Sequence, residues 1–302
     1  MKPRIAIPLP HGGDPEYALR AIPQYERAVE LSGGQPIRIP LDRPPSEVMK
    51  MIEQCDGVLL PGSKADVDPA KFGAEKHPKT EAADPKRDTV DELLLQDAYN
   101  MRKPILGICY GLQILNVYQS GNLIQHIESA INHEAGRKVP VAHEVIIEPG
   151  SKLAEIMRTA TFDERAPSHK RSNQPQDAQG REGTASSRAE KGIKNGGALA
   201  PAELVIPANS SHHQAAGDVI GDGLRVVARC PADNVIEALE GTSPDHFVLA
   251  VQWHPERSFD EDPHSRALFD ALVDASRKKH EELRSDFEGQ NTGTSSSSKH
   301  SR

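Results

Sequence analysis

Apolar residues come along this chain in two rhythms. Short unbroken runs, at Arg4 to Leu9, Pro36 to Ile39, Gly57 to Leu60, Ile105 to Ile108 and Phe247 to Gln252, have the length and bulk of strands. Those with no polar alternation suit strands buried on both faces of a parallel sheet. Between the runs the apolar positions fall at helical spacing. Leu19, Ile22, Tyr25, Val29 and Leu31 mark a helix over Tyr17 to Leu31, closed by Gly33-Gly34. Val48, Met51 and Ile52 mark a second, with Ser46 as its N-cap. Asp84-Pro85 pairs a capping side chain with a proline at the first helical position, and opens a third that runs to about Asn100. Leu112, Ile114, Leu115 and Val117 mark a fourth. Strand and helix in alternation predict an α/β fold with a mostly parallel central sheet and flanking helices.

The second half is less regular. Leu123 to Ile127 reads as a short strand, His143 to Pro149 as a longer one, and Ser151 to Met157 as a short helix. Strands are expected again at Leu224 to Ala228 and Val235 to Leu239, and a closing helix over about His264 to Leu283. Between these parts, residues 160–203 carry almost no large apolar side chains and many Ser, Gln, Arg, Glu and Gly. Such a stretch cannot bury enough surface to offset its ordering entropy, and reads as a disordered insertion. The expected organisation is one domain over residues 1–285 interrupted by that insertion, then a polar disordered tail over 286–302.

Composition narrows the partners. At 302 residues, with 36% hydrophobic and 26% charged residues, the chain suits a soluble globular protein. A formal charge of −8 argues against general nucleic-acid binding. The start lacks the apolar segment of a signal peptide, and no run approaches the roughly 20 residues that span a bilayer. Cys55, Cys109 and Cys230 have no metal spacing and cannot all pair, which points to the reducing cytoplasm.

The chemistry gathers at Cys109. In Gly107-Ile-Cys-Tyr-Gly111 a buried strand turns sharply into a helix, with a glycine two residues to either side of the cysteine. This is a nucleophile elbow with Cys in place of Ser. The glycines answer the crowding of strand against helix, and the helix N-terminus favours a thiolate. A nucleophilic Cys needs a base and a group to orient it. The run Val248 to Val251 delivers His254 at its carboxyl end, and Glu256 lies two residues on, on the same side of an extended backbone. Pro255 ends the strand between them. The expected catalytic set is Cys109, His254 and Glu256.

Gly62 and Ser63 follow the third strand, where amides can approach a substrate oxygen. Asp66 and Asp68 stand in the same loop, as site residues or as builders of Asx-type turns. His212 and His213 are adjacent, so they point apart. No Asp, Glu or Cys stands near them at ligand spacing, so no metal or other cofactor is expected. Their stretch, Asn209 to Gln214, is a substrate-contact loop or a structural turn, the former slightly favoured. His11, Asp14 and Glu16 face the same edge with no role that their identity proves.

With these motifs in hand, the chain resembles class I glutamine amidotransferase-like proteins, which have a flavodoxin-like sheet. It is most similar to the free-standing peptidase C26 branch that includes γ-glutamyl-γ-aminobutyrate hydrolase. Supporting stretches are Ala65-Asp-Val-Asp-Pro69, Arg87-Asp88, Leu115-Asn-Val117, Asn209-Ser-Ser-His-His-Gln214 and Val251-Gln-Trp-His-Pro-Glu256. The resemblance implies that Cys109 attacks a small γ-glutamyl amide, with His254 as base and then acid and Glu256 as orienter. It also implies an oxyanion hole from the amide of Tyr110 and one in the Gly62-Ser63 loop. Gln113 would contact the glutamyl group, and Ser211, His212 and His213 would receive its amino-acid end. The resemblance is compatible with a homodimer and implies no cofactor. This chain departs from many relatives at Tyr110, where they have Arg, at Ser120, where they have Gly, and at His126, where Asp is usual.

Three activities compete: hydrolysis of a γ-glutamyl amide, ammonia delivery to a separate synthase, and binding without catalysis. The intact triad and the absence of a synthase region after it favour the first. The insertion supplies a test. Loop-closure entropy grows only with the logarithm of length, so a short Gly-Ser linker in place of residues 165–200 is expected to change stability by about 1 kcal/mol or less. Chemical denaturation and glutamate release measure both sides. A well-folded deletion variant that has lost its activity would assign the segment to the site.

Overall fold

Five of the apolar runs lie side by side and in parallel, and they carry the candidate site at their carboxyl ends. In this computed structural model residues 1–160 and 203–293 are described. The first half contains β1 (Arg4–Pro8), α1 (Pro15–Leu31), β2 (Gln35–Ile39), α2 (Pro45–Ile52) and β3 (Gly57–Leu60). It continues with α3 (Pro85–Met101), β4 (Ile105–Ile108), α4 (Tyr110–Tyr118) and β5 (Leu123–Ile124). Then come β6 (His143–Ile147), α5 (Lys152–Ala160), β7 (Leu204–Ala208) and β8 (Ala215–Ala216). The chain closes with β9 (Leu224–Arg229), β10 (Ile236–Gly241), β11 (Val248–Val251) and α6 (Pro263–Gly293).

The main sheet has the order β2-β1-β3-β4-β11-β10-β9-β6-β7. From β2 to β11 the pairs are parallel, and from β11 to β7 they are antiparallel. The sheet is therefore mixed: the expected parallel strands form its core, and antiparallel strands extend it on one side. Every residue of β3, β4 and β11 is buried, as continuous apolar runs require when helices cover both faces. Side chains alternate across the sheet. Ile5 and Ile7 of β1 pack with Ile22 and Val29 of α1, Met157 of α5 and Phe269 of α6. Ala6 faces the other layer, with Ile52 of α2, Leu94 of α3 and Leu115 of α4. Among the described residues no helix is long and apolar enough to cross a membrane.

Several expectations are corrected. Ser46 is not a cap: α2 starts at Pro45, and Pro44 occupies the cap position without a side-chain bond. The fixed φ of a proline at the first position starts that helix by itself. The strand expected over Leu123 to Ile127 has only two residues, because Ile127 N–H turns away to the carbonyl of His213. β7 was not anticipated. It contains Pro207 and lies at the sheet edge, where a missing donor is tolerated. The closing helix α6 runs to Gly293, past the expected start of the polar tail. Residues 161–202 of the expected insertion and 294–302 of the tail lie outside the described residues.

The turn from β4 into α4 takes one residue. Cys109 makes it with φ 53° and ψ −105°, a positive φ that side chains rarely adopt. The helix then runs so close to β3 that a Cβ on Gly111 would lie 2.2 Å from the Leu60 carbonyl oxygen. A Cβ on Gly107 would lie 2.8 Å from the backbone of Gly111. Arg87 locks the surroundings from α3. Its buried guanidinium donates to both Asp91 oxygens at 2.8 Å, to Pro61 O at 2.9 Å and to Pro10 O at 3.2 Å. It thereby ties the loops after β1 and β3 together, 5.0 Å above the Tyr110 ring. Since Gly111 faces backbone that cannot step aside, Gly111→Ala is expected to cost about 3 kcal/mol or more. Urea unfolding of the variant measures this; unchanged stability would mean that helix and strand do not meet here.

Candidate active site

Register brings the catalytic candidates together. β4 and β11 are parallel neighbours with Ile108 opposite Val251, and Cys109 N–H donates to Val251 O at 2.8 Å. The chain leaving β11 therefore passes beside the elbow and carries His254 with it. His254 Nδ1–H donates to Glu256 Oε1 at 2.8 Å, and both side chains are buried. The third side is the loop after β3: a Cβ on Gly62 would lie 3.0 Å from His254 Cε1 and 3.6 Å from Cys109 Cβ. Asn209 clamps the backbone of His254 from both sides, accepting from its N–H at 3.0 Å and donating to its carbonyl at 2.9 Å.

The electrostatics follow from this packing. Burial disfavours charge on His254, but the carboxylate of Glu256 and the sulfur of Cys109 outweigh it and raise the ring from 6.5 to about 9. Burial likewise opposes charge on Glu256, yet the imidazolium holds its pKa below the ordinary value. The remaining ring nitrogen, Nε2, is buried and makes no hydrogen bond of standard geometry among the described residues, so what it meets is the Cys109 sulfur that helps to raise the ring's pKa. A buried cysteine beside an imidazolium held in place by a carboxylate is the arrangement of a nucleophile, its acid–base partner and an orienter.

These residues open into a cavity of about 590 Å³. Ser63, Tyr110, Gln113, Ser211, His212 and His213 line it together with Cys109 and His254. Gly62 does not. Its N–H donates to the hydroxyl of Tyr25 at 3.1 Å, so the loop meets the cavity through Ser63. Tyr110 is buried and donates its hydroxyl to Asp88 at 2.7 Å, and its backbone N–H stands at the first position of α4, where no intrahelical acceptor exists. Gln113 is fixed by donation to Gln214 O at 3.1 Å. The two open readings of Asp66 and Asp68 divide between them. Asp66 lines the cavity and bonds His213 at 3.1 Å, a contact that raises the pKa of that histidine. Asp68 caps the short helical turn Pro69–Phe72. Asp14 caps α1 and pairs with Lys64, and His11 lies against Asp84.

Sequence reading missed Tyr25 and Tyr17, which looked like ordinary positions of α1, and Arg257, which donates to Ser211 Oγ at 2.7 Å. It did quote Asn209, without a role. Of the departures expected from the resemblance, Ser120 holds φ 71°, a conformation that a glycine adopts more easily. His126 stands at the cavity between Lys79, at 2.8 Å, and His213. The expectation for His212 is corrected in one respect. Acidic and imidazole groups absent from its sequence neighbourhood reach it across the fold: Glu237 of β10, His133 and His143. Glu237 is fully buried, and burial pushes its carboxyl well above the ordinary range.

Known proteins share this chain's sequence pattern and fold. The model of the peptidase C26 family matches residues 12–178 and 167–256. A protein of Mycobacterium tuberculosis provisionally named a glutamine amidotransferase, Rv2859c, is 33% identical over 256 residues, 83% of this chain and 66% of that protein. The chain thus spans about two thirds of that relative's length. The γ-glutamyl-γ-aminobutyrate hydrolase PuuD of Escherichia coli K12 is 31% identical over 262 residues, 83% of this chain and 84% of that one. Among solved structures, a protein of Thermoplasma acidophilum provisionally named a GMP synthase subunit shares the fold. Its TM-score is 0.53 at 13% identity, over 94% of this chain and 98% of that one.

The raised pKa of His254 has a signed consequence. A group whose folded pKa lies above its unfolded value contributes stability that is complete below about pH 6.5 and is lost as pH rises through about 9. Removing the charge of Glu256 removes a large part of that rise. Ring-labelled NMR is expected to find His254 titrating near pH 9 in the parent, and at least about one unit lower in Glu256→Gln. Identical titrations would separate the two residues.

Proposed function

The chain belongs to the peptidase C26 family, and from that premise we propose that it hydrolyses a γ-glutamyl amide to glutamate and an amine through a thioester on Cys109. The observation that carries this reading is the convergence of Cys109 and His254 in one cavity, with Glu256 behind the imidazole. The cavity wall also suits the substrate. It presents cations at Arg137, Lys79 and Arg257, and anions at Asp66, Glu81 and Glu134. A γ-glutamyl group carries both an α-carboxylate and an α-ammonium, and asks for both signs of partner.

In this mechanism the thiolate of Cys109 attacks the γ-carbonyl carbon, forming a C–S bond as the carbonyl π pair moves to oxygen. The N–H of Tyr110 and the Ser63 loop receive the oxyanion. Collapse breaks the C–N bond, and the amine leaves with the proton of His254. Water then attacks the thioester, gives its proton to the now neutral His254, and displaces the thiolate as glutamate forms. Glu256 keeps the ring in one orientation and favours its charged form. An amine bearing a carboxylate, as in the substrate named for the Escherichia coli relative, would meet Lys79 and His213 on the far wall.

Cys109→Ala is expected to abolish glutamate release from every member of a panel of γ-glutamyl compounds, with its folded circular dichroism spectrum unchanged. His254→Ala loses about as much, on the order of 10⁴-fold or more, whereas Glu256→Gln loses less because it only holds the imidazole. A glutamyl adduct on Cys55 or Cys230 in mass spectra, or glutamate release by the Cys109 variant, would end the assignment. Ranking the panel by kcat/KM identifies the amine.

A further inference from the structure

We infer that His133, His143, His212 and Glu237 form a binding site for one divalent transition-metal ion, with zinc the best match to the donor set. The four come from separate parts of the chain. His133 lies in the loop before β6, His143 begins β6, His212 lies in the loop between β7 and β8, and Glu237 is on β10. Their ligating atoms all lie within 4.8 Å of one another, and all four side chains are buried. Glu237 Oε1 is 3.3 Å from His143 Nε2, 3.5 Å from His133 Nδ1 and 3.7 Å from His212 Nε2. A tetrahedral zinc ion with bonds of about 2.0–2.1 Å places its donor atoms about 3.3 Å apart. The three Glu237 distances lie within about 0.4 Å of that spacing, and the histidine nitrogens, within 4.8 Å of one another, would draw together on an ion.

The hydrogen bonds behind the rings carry the argument further. His133 Nε2–H donates to Asp233 Oδ2 at 2.8 Å, His143 Nδ1–H to Glu144 O at 3.1 Å, and His212 Nδ1–H to Gln214 O at 2.9 Å. Each acceptor is a carbonyl or a carboxylate, so each of these nitrogens carries the hydrogen. In the neutral rings the opposite nitrogens, which face Glu237, hold lone pairs. Among the described residues none of these three nitrogens has a hydrogen-bond partner, nor does either oxygen of Glu237. The cluster thus aims three nitrogen lone pairs and a carboxylate at one point, with no donor among them. Buried polar atoms left in this condition destabilise the fold. One proton on Glu237 could satisfy only one of the three nitrogens, whereas one cation at the centre satisfies all of them. Outer partners of this kind, which fix the tautomer and the ring plane, are what ligating histidines have in metal sites.

Four protein ligands without an open position make a structural site. Its place gives it something to hold. His212 also lines the catalytic cavity, and its neighbour Asn209 clamps His254. The backbone of His133 is tied to the same loop, accepting from Ser210 Oγ at 2.6 Å and from His212 N–H at 2.9 Å. The ion would fasten the Asn209–Gln214 wall to β6 and β10.

The full-length chain, refolded or equilibrated with zinc sulfate and then desalted, is expected to hold about one zinc per chain by plasma mass spectrometry. Cobalt(II) in its place should give the intense visible bands of a tetrahedral complex without the thiolate charge-transfer band of a cysteine ligand. Cys109→Ser should keep the ion, since its sulfur is not a ligand. His143→Ala and Glu237→Gln should lose at least about tenfold in affinity, while His280→Asn on α6 should not. The inference is overturned if the parent retains less than about a tenth of an equivalent after refolding with zinc. It is equally overturned if Cys109→Ser loses the ion or if His143→Ala binds as the parent does. The parent measurements decide the question even where a ligand variant fails to fold.

Discussion

Everything at the candidate site depends on a close approach of backbones. α4 must begin one residue after β4 ends, while β3 lies alongside. Gly111 lets the helix come to the Leu60 carbonyl, and Gly107 lets strand and helix share the space in between. Cys109 is left with a positive φ that its own side chain disfavours. That conformation costs on the order of 1–3 kcal/mol and persists because the sheet, α3 and α4 over-determine it. The strain lifts the sulfur out of the strand and into the cavity, at a helix N-terminus, with the path of β11 beside it. Arg87 supports the same geometry from below, since its one buried guanidinium binds the carbonyls of the loops that follow β1 and β3.

The second feature of the site is charge held in a dry place. Burial alone would discharge both His254 and Glu256, and each keeps its charge because the other is 2.8 Å away. The pair is therefore one electrostatic unit, and its geometry must be maintained by groups that do not titrate. Asn209 does this through the backbone of His254, and Gly62 by leaving space for the ring. The Gly62 amide is engaged by Tyr25, which separates the work of that loop. Gly62 gives room and Ser63 meets the cavity.

How much of this could be read from the chain follows from distance along it. β3, β4 and β11 were legible because parallel strands under two helical layers are apolar throughout. The elbow was legible because its glycines and its cysteine are local. The His254–Glu256 pair was legible because the two are close along the chain, but the extended backbone expected between them is corrected: Pro255–Arg257 is a short helical turn with His254 at its cap position, and that turn brings the carboxylate back to the ring. β7 was not, because Leu204 to Ala208 is short, alternating and contains Pro207, and only its place at the edge makes that proline tolerable. Tyr25 looked like any buried position of an amphipathic helix; its role lies in a hydroxyl that reaches another loop. Glu237 carries no local mark within the strand expected over Val235 to Leu239. It is buried because β9 and β6 continue the sheet past it and the loops bearing His133 and His212 close above it.

The loop from Asn209 to Gln214 is where these lines meet. On one side it holds His254, through Asn209, and the cavity wall, through Ser211 and His213. On the other it sends His212 into the cluster around Glu237. A short loop cannot present both faces and also bury hydrophobic side chains of its own, so its position must come from polar contacts. Its backbone bonds to His133 and its link to Gln125 through Gln214 supply part of that. Those contacts fix where the loop runs but leave the lone pairs around Glu237 converging without a donor. A wall that must hold an imidazole to a few tenths of an ångström is poorly served by a buried polar cluster left half satisfied. The physical requirement of the His254–Glu256 pair and the unsatisfied chemistry behind it therefore point to the same place in the fold.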